Sequence, residues 1–158
     1  MVDVHTPAQR SRNMRAVRAK NTAPELIIRR ALHAAGYRYR LHVKHLPGSP
    51  DIALPKHRVA IFVDGCFWHG HGCALFKIPQ TRTEFWIGKI EGNRRRDLTK
   101  DEQLLAQGWR VFHVWECALR GVEAIELPEI LSIFKSWLMS NDRMGSIPQA
   151  GTAAIGLK

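Results

Sequence analysis

A chain of 158 residues, 45% of them hydrophobic, is the size of one ordinary domain and buries a core without staples. Its 24 Lys and Arg against 14 Asp and Glu leave a formal charge of +10, so a polyanion is the expected partner, nucleic acid first and an anionic membrane surface second. No apolar run nears the roughly 18 residues of a membrane span, the start MVDVHTPAQR has no signal-peptide stretch, and three cysteines are an odd number for a disulfide framework, so a cytoplasmic protein with reduced thiols is expected.

The segment TPAQRSRNMRAVRAK carries Arg10, Arg12, Arg15, Arg18 and Lys20 among few apolar residues. It reads as a basic arm over residues 1–20, or more plainly as a solvated charged face. In NTAPELIIRRALHAAGY, Thr22 stands as N-cap, Glu25 as its capping-box partner and Gly36 as the stop, which predicts a helix over 23–35. YRYRLHVKHLPG alternates as an exposed strand does. PDIAL and RVAIFVDG, parted by PKH, then predict a β-hairpin whose second strand is apolar on both faces and hence central.

From Thr81 to about Gln107 the pattern is helical, opening on a second capping box (Thr81 with Glu84) and stopping at Gly108. WRVFHVWEC predicts a strand ending at Cys117, with Trp109 and Trp115 read as core. LPEILSIFKSWLM gives a last amphipathic helix with Ile130, Ile133, Phe134 and Trp137 on one side. A domain over 21–140 is followed by a tail, 141–158, expected to be mobile. Helix, three strands, helix, strand, helix makes an α/β protein: a small mixed sheet covered by helices, with the long helix as the crossover for a parallel strand pair.

Two constellations carry chemistry. In VDGCFWHGHGC, Cys66 and Cys73 flank His69 and His71, and the architecture brings Cys117 to the same end of the sheet. Three thiols and one imidazole complete a tetrahedral zinc site. Spacing alone leaves open which histidine is the ligand and which remains over. The second constellation is acidic. If the hairpin pairs Leu54 with Val59, then Asp51 faces Phe62, and Asp64 lies on the same side of the sheet, about 7 to 8 Å away as a diagonal neighbour. Two carboxylates there suit magnesium, although Asp64 before Gly65 is equally an ordinary turn residue. A histidine beside such a metal serves as the base that activates water. Asp97, at the end of NRRRD, is a lesser candidate for holding the metal's water shell.

The motifs LPGSPDIAL, IFVDGCFWHGHGC, LFKIPQTRTEFW and GWRVFHVWECALRG, with Asn93 before RRRD, resemble the very short patch repair (Vsr) endonuclease family over about residues 3–121. The resemblance implies a restriction-endonuclease-like fold with a structural zinc site. It implies an enzyme that nicks one strand of double-stranded DNA on the 5′ side of the thymine in a T·G mismatch, the product of 5-methylcytosine deamination. By position, Asp51 matches the magnesium-binding aspartate and Val63 its backbone-carbonyl ligand. His69 matches the catalytic histidine, with Glu25 and His5 assisting. Cys66, His71, Cys73 and Cys117 match the zinc ligands. Phe67, Trp68 and Trp86 match aromatics that wedge into the DNA stack, with Met14 approaching from the arm.

The chain departs from the family pattern at Val63, where threonine is common, and at Asp64, where histidine is common. Asp64 is thereby a candidate catalytic carboxylate, binding metal directly or through water. A monomer acting at the bacterial nucleoid is expected, with mismatch-repair proteins and a companion cytosine methyltransferase as further partners. The alternatives are a zinc-stabilised DNA-binding module without catalysis and a restriction-type nuclease that cuts both strands of matched duplex.

Overall fold

The computed structural model describes residues 6, 8, 9 and 20–148. His5, Met14 and nearly all of the basic arm lie outside the described residues.

The first helix, α1 (Ala23–Ala34), opens as its sequence dictates: the Thr22 hydroxyl accepts the Glu25 amide at 3.4 Å, and the Glu25 carboxylate accepts the Asn21 amide at 3.1 Å. Reciprocal capping of this kind contributes about 1 kcal/mol. Gly36 then takes φ +94, which ends the helix. Ile28 and Leu32 are its buried residues on the apolar side.

Five strands follow in the order β1 (Arg40–Leu41), β2 (Ile52–Leu54), β3 (Val59–Asp64), β4 (Arg110–Trp115) and β5 (Met144–Ile147), each beside the next. The first two pairings are antiparallel and the last two parallel. The hairpin register is the one expected, Leu54 opposite Val59 and Ile52 opposite Ile61, and the long helix α2 (Thr83–Ala106) is the crossover between the parallel β3 and β4.

The alternation of side chains sorts the core into two layers. Ile52, Leu54, Ile61, Phe112 and Val114 point toward α1 and α3 (Leu127–Met139), where Ile28, Leu32, Ile130, Phe134 and Trp137 meet them. Ala53, Ala60, Phe62 and Val111 point the other way, to Leu104 of α2. The sheet is therefore covered on both faces.

Two expectations change. The second capping box does not form: α2 begins at Thr83, with Arg82 in the cap position at φ 54 and no side-chain cap. Thr83, the first helical residue, donates its hydroxyl back to the Pro79 carbonyl at 2.9 Å. The assigned tail also contributes to the fold, because Met144–Ile147 is the strand β5, parallel to β4. Arg110 fixes this return. Its guanidinium donates to the carbonyls of Trp137 and Asp142, both at 2.8 Å, and of Leu138 at 2.9 Å. Charge-assisted bonds to the free carbonyls at the end of α3 hold the chain where it turns back to the sheet.

Candidate active site

The C-terminal ends of β3 and β4 lie side by side, with Asp64 opposite Trp115, and the chemistry gathers there. A cleft of about 680 Å³ is lined by Glu25, Asp51, Val63, Asp64, Phe67, Trp68, His69 and Lys100. Asp51 reaches it from the start of β2, and one carboxylate oxygen accepts the Val63 amide at 2.8 Å. Burial pushes Asp51 up to about 7; the Val63 bond opposes this, and the neighbouring Glu25 and Asp64 carboxylates add to it. A carboxyl so placed gains from a cation.

His69 projects from the loop after β3. Its Nδ1 is hydrogen-bonded to Asp97 of α2, and its Nε2 lies 3.8 Å from Asp64 Oδ1. Burial alone would lower the His69 pKa, but the Asp97 bond and the Asp64 charge outweigh it and raise it. Asp97 is in turn held by Lys100, whose Nζ lies 2.8 Å from Asp97 Oδ1 and 3.9 Å from the Phe62 ring centre. Gly48 leaves room for that lysine. At φ +73, a Cβ built on it would stand 2.6 Å from Lys100 Cδ.

Asp64 faces the α2 side, as Asp51 does, but its partners are imidazoles. Oδ2 lies 2.5 Å from His113 Nδ1, and His113 Nε2 lies 2.9 Å from Asp101 Oδ2. Burial works against charge on His113, yet Asp64 and Asp101 outweigh it and carry its pKa up to about 10. Conversely, burial would raise Asp64, and the His113 charge and hydrogen bond hold it well below the usual carboxylate range. The Asp64 turn reading gives way to a buried carboxylate–imidazolium–carboxylate chain.

Cys66, His71, Cys73 and Cys117 form one cluster, with one donor atom from each within 4.8 Å of all the others. Cys117 Sγ lies 3.5 Å from His71 Nδ1, about the edge that metal–sulfur and metal–nitrogen bonds of roughly 2.3 and 2.0 Å make at a tetrahedral angle. Burial and the neighbouring Cys73 thiol push Cys117 up to about 11, against the lowering effect of its Cys66 bond. His71 belongs to this group and His69 does not. Trp115, expected in the core, is half-buried and stacks on His71 with ring centres 4.2 Å apart.

Beyond the cluster, Phe67 packs edge-on against Trp68 and Trp86 at 5.1 and 5.5 Å. Trp86 is 8% exposed, whereas its neighbour Phe85 is 46% exposed under the Arg82 guanidinium.

The family model described as DNA mismatch endonuclease Vsr matches residues 2–75. The DNA mismatch endonuclease Vsr of Escherichia coli strain K12 is 42% identical over 151 residues, covering 96% of this chain and 97% of its own. The chain belongs to the Vsr family. Other relatives are named type II nicking enzymes: V.XorIIP of Xanthomonas oryzae is 51% identical over 126 residues (80% of this chain, 93% of its own). V.NmeAIP of Neisseria meningitidis is 41% identical over 121 residues (77% and 86%).

In this Vsr chain the fold brings together Glu25, Asp51, Val63, Asp64, Phe67, Trp68 and His69 around one cleft, with the Cys and His cluster behind the loop that bears His69. Sequence reasoning missed Lys100, Asp101, His113 and His42. Two of them had a signal: Lys100 and Asp101 recur at helical spacing with Asp97, on the stripe of α2 that continues from Ile90 to the buried Leu104.

Proposed function

We propose that this Vsr-family chain is a magnesium-dependent, zinc-stabilised endonuclease that nicks one DNA strand 5′ to the thymine of a T·G mismatch and so starts very short patch repair. The observation that carries the reading is the shared cleft of Asp51, Val63 and His69 at the strand ends, with His69 bonded to Asp97. Asp51 and the Val63 carbonyl hold the magnesium, which supplies the charge that polarises the scissile phosphate. The fit is supported by the raised Asp51 carboxyl beside Glu25, a pair of acids in want of a cation.

Asp97 fixes the Nδ1–H tautomer of His69 and leaves Nε2 to take the proton of the attacking water. Asp64 acts on that imidazole rather than on the ion, since its two oxygens face His69 and His113. Glu25 assists from the α1 N-terminus, and His5 takes the same role by similarity. Phe67, Trp68 and Trp86 form the wedge that unstacks the mismatch, Met14 meets it from the arm, and the basic arm clamps the duplex. Zinc on Cys66, His71, Cys73 and Cys117 fastens the loop that carries both His69 and the wedge. The mixed sheet with its acidic strand ends supports a restriction-endonuclease-like ancestry, and a monomer suffices because one cleft cuts one strand.

A duplex bearing a single T·G pair tests the proposal. One nick on the thymine strand, requiring magnesium, is expected, with none on matched DNA; Asp51→Asn should abolish it and leave binding intact. Double-strand cuts in matched duplex would favour a restriction-type nuclease, and binding with no cleavage in any sequence context a DNA-binding module.

A further inference from the structure

Among the described residues a second group of metal-binding side chains stands apart from the thiol cluster. It consists of Glu25, Asp51 and His42, with one donor atom from each within 4.8 Å of the others. The two carboxylates already belong to the magnesium reading; His42 does not. We propose that His42 is a third protein ligand of the ion carried by Asp51, and that this imidazole adds affinity for first-row transition cations beyond what it adds for magnesium. The inference rests on the proposed catalytic metal at Asp51.

The backbone places His42 for this role. It follows β1 directly, across from the start of β2, and its amide donates to the Asp51 carbonyl at 3.2 Å. Residues 42 and 51 are thus locked opposite one another. His42 takes φ 47, a left-handed conformation that a histidine adopts at some cost and that turns its side chain out of the strand alternation. The ring then reaches toward the N-terminus of α1: Nε2 lies 3.8 Å from Glu25 Oε2 and 3.4 Å from Asn21 Oδ1. Both contacts are long for hydrogen bonds to the imidazole. Asn21 Oδ1 is also engaged by Arg29 at 2.9 Å. A ring held loosely by an amide and a carboxylate, with a donor atom of Asp51 within 4.8 Å, is poised to close on a cation.

The distances agree with this. Three ligands on one ion at roughly 2.1 to 2.3 Å lie about 3 to 4 Å apart, so a group within 4.8 Å closes on it with shifts of about 1 Å or less. The donor set decides the class of ion. Oxygen-only sites suit magnesium; a neutral imidazole adds little for that hard ion and more for a first-row transition cation.

Manganese titrated into the full-length, zinc-loaded protein without DNA is the test, followed by electron paramagnetic resonance. Wild type should bind one Mn²⁺ with ¹⁴N coupling from a directly bound imidazole, and magnesium should displace it at higher concentration. His42→Asn keeps a residue that tolerates φ above zero. It should lose the nitrogen coupling and weaken Mn²⁺ about tenfold, with Mg²⁺ affinity changed less than threefold and zinc content unchanged. Asp51→Asn should abolish binding of both ions.

If wild type binds Mn²⁺ through Asp51 with no nitrogen coupling, or if His42→Asn matches wild type, His42 is only the ion-pair partner of Glu25 and the inference falls alone. If Asp51→Asn binds Mn²⁺ as wild type does, the catalytic metal assignment falls with it. The mismatch nicking assay stands separately from both.

Discussion

A strand residue packed beneath a helix is ordinarily apolar, yet His113 occupies such a place, 9% exposed, and carries charge between Asp64 and Asp101. Its partners explain why this is tolerated: a buried charge persists when it is paired and hydrogen-bonded on both sides. The linkage has a definite sign. His113 is raised from 6.5 to about 10, so its contribution is complete below pH 6.5 and is lost as pH climbs through 10. Asp64 is lowered from 3.8, so its contribution is present above that value and is lost only in strong acid. His113→Gln leaves two buried carboxylates facing a neutral amide and should cost about 3 kcal/mol near pH 5 to 6. Denaturant unfolding of wild type and variant across pH should show the gap narrowing from pH 6.5 toward 10; a constant gap would mean that His113 is neutral in the fold. This chain was invisible in the sequence, because Asp64 stands before a glycine and His113 within an aromatic strand, and only the parallel β3–β4 register brings them together.

Elements were legible where their periodicity reported burial. The Thr22 cap with Glu25, the hairpin register and the apolar side of α3 all follow from such patterns. The long helix α2 is the contrary case. Its sheet-facing stripe holds Asp97, Lys100 and Asp101 between Ile90 and Leu104, so polar residues that serve the site look like an ordinary solvated face. The strand β5 was missed for a different reason. Met144–Ile147 is too short and too rich in small residues to signal a strand, and its place depends on Arg110 and on a close fit over the core. A Cβ at Gly145 would stand 2.6 Å from the Trp137 ring and 2.8 Å from Phe112. Gly145→Ala should therefore destabilise the protein by about 1 to 3 kcal/mol, read as a lowered melting temperature, by forcing β5 away from α3. An unchanged melting temperature would mean that this edge strand contributes little.

At the scale of the molecule, the +10 charge and the reduced cysteines pointed to nucleic acid and to metal, while the assignment of roles needed the fold to gather residues from both ends of the chain. The thiol cluster has one more consequence. The Cys117 amide meets Cys66 Sγ at 3.4 Å although the two residues are 51 positions apart, so an ion shared by them would be a cross-link between the tips of two parallel strands. By loop-closure reasoning, a tie across about 50 residues removes on the order of 4 kcal/mol of freedom from the unfolded chain, much as a disulfide would. Unlike a disulfide such a tie would open to a chelator, and first at the loop that bears Phe67, Trp68 and His69, since the strands keep their own ladders. Chelated protein should thus stop cutting DNA while its far-ultraviolet circular dichroism still reports an intact sheet; loss of both signals together would mean that the cross-link holds the whole fold rather than that loop alone.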